Sequence, residues 1–217
     1  MRRLSSTFLR SARRYSDDEA GATSVEYAMV MPLFLLLLLG IVDFGRYSSD
    51  FVMVQKAMER GARIAAVRPP ACPGVPETHV RIPNSEISPP PKFGTSCSVG
   101  GICANPGIIT CGLNLENPTA AEIWNRINAV MPSTVAANDV TVSYAYDQNL
   151  GFLGGPYVPV VTVELTGAEF DFVTPLGGLA TMASGALVPN GARQGLIPFP
   201  DISVTLPGED LNLGSNG

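Results

Sequence analysis

Residues 28–42, AMVMPLFLLLLLGIV, are 15 residues without a charge, and this run limits the possible folds more than any other feature. Fifteen is short of the roughly 20 that a helix needs to cross hydrocarbon. Tyr27 and Phe44 can occupy the two interfaces, and a helix running on in both directions makes up the deficit. Three readings compete. A cleaved secretory signal needs small residues three and one before the cut. The run is followed instead by Asp43-Phe44-Gly45-Arg46-Tyr47, a poor site. A buried helix of a soluble fold does not suit five consecutive leucines, Leu35 to Leu39, with arginines on both sides. A retained membrane helix satisfies both points.

The charge distribution agrees. Residues 1–20 hold five arginines (Arg2, Arg3, Arg10, Arg13, Arg14) against Asp17, Asp18 and Glu19. Residues 69–217 hold four basic residues (Arg81, Lys92, Arg126, Arg193) against twelve acidic ones, about −8 in all. A basic end and an acidic body separated by an apolar block suit a membrane protein whose basic end stays in the cytoplasm. Nucleic-acid binding is excluded, because the acidic body repels phosphates.

The helix is expected to continue past the membrane. No proline occurs from Asp43 to Val67. Phe44, Tyr47, Phe51, Val54, Met58, Ala62 and Ala65 recur at steps of three and four, which places them on one face. Asp43 with Arg46, and Glu59 with Arg63, have ion-pair spacing. Arg68-Pro69-Pro70 ends the helix. Residues 24–67 then make a rod of roughly 65 Å at 1.5 Å per residue. Its apolar stripe can pack on the chain's own domain or on neighbouring subunits.

All four cysteines, Cys72, Cys97, Cys103 and Cys111, follow the apolar block. In an exported region two disulfides are the default, with three possible pairings. The intervening lengths of 24, 5 and 7 residues give no tight C-x2-C pair for zinc. Residues 69–118 contain ten prolines and read as a loop region pinned by those bridges. Thr119 with Glu122 forms a capping box opening a short helix through Met131. Strand patterns follow at Val140–Tyr146, Val158–Leu165, Phe170–Val173 and Ile202–Leu206. The expected class is α+β: a long N-terminal membrane helix, then a small domain with a short helix and three or four antiparallel strands. The expected organisation is a basic leader over 1–21, the membrane and amphipathic helix over 22–68, the Pro/Cys-rich loop over 69–118, and the α+β domain over 119–217. The tail from Pro207 reads as frayed.

No enzyme signature appears. His79 is the single histidine and reads as a solvated loop residue. Gly151-Phe152-Leu153-Gly154-Gly155 lacks the lysine and helix of a phosphate loop and reads as a turn. Glu164, Glu169 and Asp171 alternate with apolar residues as a solvated strand face does. The sequence therefore points to no catalytic residue, no metal site and no cofactor.

The most specific stretch is Gly21-Ala22-Thr23-Ser24-Val25-Glu26-Tyr27. Glu26 is the one charge between Glu19 and Asp43, and a carboxylate at the edge of a membrane helix carries a cost. Gly21, four residues, then Glu26-Tyr27 resembles the G-xxxx-E-Y processing site of prepilins of the tight-adherence pilus. Val25-Glu26, Pro32, the leucine run, Gly40-Ile41, Asp43 and Phe44-Gly45-Arg46 resemble the TadE-like family of pseudopilins. Thr174-Pro175-Leu176 resembles a later feature of that family.

The resemblance implies cutting between Gly21 and Ala22 by a membrane prepilin peptidase. It implies that Glu26 neutralises the new α-amine within a bundle of subunits, with Tyr27 beside it. It implies a minor pseudopilin that initiates, caps or anchors a tight-adherence type IV pilus. Its partners would be prepilin peptidase, other pilin and pseudopilin subunits, the inner-membrane assembly platform and membrane lipid. Its place would be the bacterial inner membrane, single-pass, with the C-terminal domain in the periplasm. The alternative is a membrane-tethered periplasmic domain that binds a ligand or surface and never enters a fibre.

Overall fold

In a computed structural model of the chain, residues 19–83, 87–172, 174, 177–178, 196–198, 200–209 and 211 are described. Most of the leader, Pro175-Leu176, Val173 and most of the tail after Pro207 lie outside the described residues. The chain divides into two compact units, Met1–Arg46 with Phe172–Gly195, and Tyr47–Asp171 with Leu196–Gly217.

The first helix, α1, runs from Glu19 to Val67 and carries Pro32 inside it. In the first unit its apolar side chains are bare: Met29, Leu33 and Leu37 are each at least 60% exposed. Each leucine held in water forgoes roughly 1.5–3 kcal/mol of burial. Such a surface suits lipid or a neighbouring helix. In the second unit the same helix is one-sided. Val54, Ala57, Met58, Ala62, Ala65 and Ala66 are buried, while Val52 and Met53 are exposed. The expected stripe is thus covered by the chain's own body from Val54 onward, and Phe44 is left 70% exposed.

The sheet follows from period-two patterning. β1 (Ile108–Gly112), β2 (Val140–Ala145), β3 (Val160–Leu165) and β6 (Ile202–Pro207) pair antiparallel in the order β1-β2-β3-β6. Val140, Val142 and Tyr144 of β2 are buried opposite Leu165, Val163 and Val161 of β3. The alternate positions, such as Thr141, Ser143, Thr162 and Glu164, occupy the other face. There Thr162 and Thr205 share a 2.9 Å hydroxyl hydrogen bond. β4 (Glu169–Asp171) and β5 (Leu196–Pro198) form a separate two-stranded sheet. Phe170 of β4 meets Tyr47 of α1 edge-on, with ring centroids 5.4 Å apart.

The second helix, α2, spans Pro118–Ile127. Its cap differs from the expected Thr119–Glu122 box. Asn117 Oδ1 accepts from the Thr119 and Ala120 amides at 2.9 and 3.2 Å. Pro118, pre-set for the first helical position, moves the cap two residues upstream, from Thr119 to Asn117. Asn117 Nδ2 also donates to the Pro70 carbonyl at 3.1 Å, tying the start of α2 to the end of α1. Ile123 and Ile127 of α2 are fully buried beside Gly61 of α1. A Cβ at Gly61 would lie 3.4 Å from Ile123 Cγ2 and 3.5 Å from Ile127 Cγ2, ordinary contact distances, so the two helices pack closely here.

The segment expected to be loop over 69–118 is more ordered than its prolines suggest. It contains the edge strand β1, and it forms isolated bridges pairing Thr78 with Pro156, Arg81 with Cys103 and Ser96 with Phe152. Two of them lie at or beside the 151–155 turn. His79 N–H donates to Gly155 O at 2.9 Å, and Gly154 N–H returns a bond to His79 O at 2.8 Å. Gly151 has φ of +79°, and a side chain there would strike the His79 ring. The glycines therefore make the turn that the ring packs against.

Candidate functional site

The expected processing motif occupies the beginning of α1. Gly21 and Ala22 lie within its first turn. Gly21 and Glu26 are exposed, and Tyr27 is 63% exposed. Glu26 makes no hydrogen bond or ion pair among the described residues. A carboxylate so placed is free to meet a positive group from outside the chain. A protease needs extended backbone at its cut. Cutting at Gly21–Ala22 would require that bond to leave the helix first, which glycine eases by about 1 kcal/mol relative to alanine.

Further along, Asp43 is 1% exposed on a stretch of α1 whose neighbours are bare. Thr174 covers it. Asp43 Oδ2 accepts from the Thr174 amide at 3.3 Å and also from the Thr174 hydroxyl. Asp43 Oδ1 faces Arg46 Nη1 at 3.7 Å, an ion pair too long for a hydrogen bond. Two residues singled out separately in the sequence are thus joined across 131 positions. Sequence spacing gives the Asp43–Arg46 pair but carries no signal for Thr174.

The four cysteines resolve into two bridges, Cys72–Cys111 and Cys97–Cys103. Cys72–Cys111 fastens the segment after α1 to the edge strand β1. Beside it, the Ala71 amide donates to the Tyr144 hydroxyl at 3.0 Å. Burial pushes the Tyr144 phenol up, and that hydrogen bond partly offsets the effect. Cys97–Cys103 closes a small cluster with Ile102, Leu153 and Tyr146.

His79 is a correction. It is 2% exposed rather than solvated, packed against Tyr157 with ring centroids 5.0 Å apart. Its Nε2 accepts from the Val158 amide at 3.2 Å, which puts the neutral ring's proton on Nδ1. Nδ1 and the Tyr157 hydroxyl have no hydrogen-bond partner among the described residues. Burial drives the Tyr157 phenol up to about 12. The ligand atoms of His79, Cys97 and Cys103 lie within 4.8 Å of one another. The disulfide uses both sulfurs, however, and a thiolate is what binds metal.

Burial also lowers the His79 pKa below 6.5. Between that lowered value and 6.5 the unfolded chain binds more protons than the folded one. The resulting stability is complete above pH 6.5 and is lost as pH falls through the folded value. With one histidine in the chain the signal is clean. The unfolding temperature is expected to fall between about pH 7 and pH 5.5, where most carboxylates stay ionised. His79→Phe should flatten that slope, and an unchanged slope would count against His79 as its source.

A family model described as TadE-like protein matches residues 21–63. The match covers most of α1, from Gly21 through Arg63, and not the α+β body. Neither the curated proteins nor the solved structures give a match. A TadE-like domain points to involvement with the tight-adherence pilus. One long apolar helix near the N-terminus fits a single-pass membrane protein. The segment holding Gly21, Glu26, Asp43 and Arg46 therefore matches the TadE-like family, and the resemblance is confined to that stretch.

Proposed function

We propose that the chain is a minor pseudopilin that helps to initiate, cap or anchor a tight-adherence type IV pilus, without enzymatic activity. One coincidence supports the reading: the family match over 21–63 takes in the bare apolar part of α1, whose first turn holds Gly21 and whose Glu26 has no partner among the described residues. Before assembly the chain sits in the bacterial inner membrane, its basic leader cytoplasmic and its disulfide-bonded body periplasmic. Prepilin peptidase removes the leader after Gly21 and leaves an α-amine on Ala22.

The helix then begins near Ala22, and Glu26 lies one turn inside it. A carboxylate near a helix N-terminus is favoured by the helix dipole. Among packed helices in low dielectric, pairing it with a neighbour's α-amine is far better than leaving either charge alone. Tyr27 and the exposed leucines supply the apolar contact around that pair. The other subunits and the assembly platform are the partners that this surface serves.

The pairing role has its own test. Glu26→Ala should still be cut by the peptidase, because the scissile bond is untouched. It should lose piliation, counted by electron microscopy of cells that lack the wild-type copy. Normal piliation in that variant would reject the pairing role and leave the fold unaffected.

A further inference from the structure

The ion pairs on the second unit's α1–α2 surface depart from sequence spacing. Glu59 does not serve Arg63. It binds Lys56 through both carboxylate oxygens at 3.0 Å. Glu122 is engaged by Arg68 Nε at 3.3 Å. Arg60, Arg63 and Arg126 are left exposed, with no ion pair or hydrogen bond among the described residues. All three line one groove of about 590 Å³ between α1 and α2, together with Asn125, Ile64 and Glu122. Arg60 and Arg63 are three apart on α1, one helical turn, so their side chains leave the same face. Arg126 comes from α2. Three unpaired guanidinium groups thus converge on one concavity, although residues 69–217 carry about −8 overall.

We propose that this groove is a docking site for an acidic polypeptide segment of a partner subunit. Charge complementarity selects the occupant. A guanidinium presents a planar fork that pairs a carboxylate through two parallel hydrogen bonds. Asn125 can donate beside it, and Ile64 gives a short apolar floor. Within the groove a narrow acidic segment meets three arginines and one carboxylate, Glu122, which Arg68 already engages. An extended polyanion, such as a nucleic acid or an anionic bilayer, would face that remainder and be repelled. The site is separate from the Gly21–Glu26 motif, and its existence does not depend on the chain being processed or entering a fibre.

The test uses the full chain in neutral detergent and a fluorescently labelled hexaglutamate peptide as probe, read by anisotropy. Binding is expected at low salt and should weaken steeply as salt rises. The triple variant Arg60→Gln, Arg63→Gln, Arg126→Gln should bind at least about tenfold more weakly, since each exposed charge pair contributes modestly. Lys92→Gln, which removes an exposed lysine that does not line the groove, should leave binding unchanged. All three arginines are exposed, so the variant should keep its two disulfides and its circular dichroism. Equal binding by the triple variant, or no binding by the wild type, would overturn the proposal. So would displacement of the peptide by tripolyphosphate at lower concentration than by unlabelled hexaglutamate, which would make this a phosphate site. Self-association of the chain that needs the three arginines would support it, with a second copy as the source of the acidic segment.

Discussion

Replacing Cys72 and Cys111 together by alanine is expected to lower the stability of the α+β body by about 4 kcal/mol, against about 2 kcal/mol for Cys97 and Cys103. The difference follows from the loops that the bridges close, 39 residues in the first case and 6 in the second. A longer loop removes more chain freedom from the unfolded state. The site of attachment acts in the same direction. Cys72 is buried beside Ala71, whose amide is bonded to Tyr144 on the central strand β2. Cys111 lies on β1, opposite Val142 of β2. Losing this bridge frees both the exit of α1 and the sheet edge, whereas losing the short one loosens a local lobe. Denaturant titration of both double variants under non-reducing conditions checks the order. Equal losses, or a larger loss for the short bridge, would contradict this account.

A second large effect is expected at Asp43. Its carboxylate accepts two hydrogen bonds from Thr174, and hydrogen bonds to charged groups contribute roughly 1.5–3 kcal/mol each. Asp43→Ala removes both acceptors and leaves the Thr174 amide and hydroxyl without them. The expected local loss is about 3 kcal/mol, equivalent to about a hundredfold faster exchange of the Thr174 amide hydrogen. Asp43→Asn keeps one carbonyl acceptor and should fall between. Arg46 is solvent-accessible, so its loss of a partner adds little. Hydrogen exchange on the detergent-solubilised chain reads the effect directly. Unchanged protection at Thr174 in Asp43→Ala would mean that other contacts hold that segment.

The legible parts of the fold were those in which local pattern and burial agree. β2 and β3 alternate apolar and polar residues along their length, and the structure buries one set. α1 announces itself by its leucines, by the absence of proline after Asp43, and by Pro69-Pro70 at its end. β1 was hidden because Ile108–Gly112 is five residues long, follows Pro106-Gly107, and is an edge strand with no fully buried position. β5, at three residues, is shorter still. Both are held by pairing partners far away in sequence, and local propensity does not register that.

The same distinction holds at the candidate sites. The proposed processing motif and the Asp43–Arg46 pair are short-range and could be read from spacing. Thr174 over Asp43, the burial of His79 beneath the 151–155 turn, and the pairing of the cysteines depend on contacts between distant segments. Even a short-range reading can lose to competition. Arg63 had the right spacing for Glu59, but Lys56 took that carboxylate and left the arginine for the groove. The Cys72–Cys111 and Cys97–Cys103 pairing is one of three that four cysteines allow, and sequence alone does not choose among them.

The central claim is that α1 is the assembly helix of a processed pseudopilin. The most direct test is the intact mass and N-terminal sequence of the chain purified from cells that contain the prepilin peptidase. The account predicts a mature chain beginning at Ala22, and the full-length chain beginning at Met1 in cells without the peptidase. A chain that keeps Met1 where the peptidase is present would contradict it.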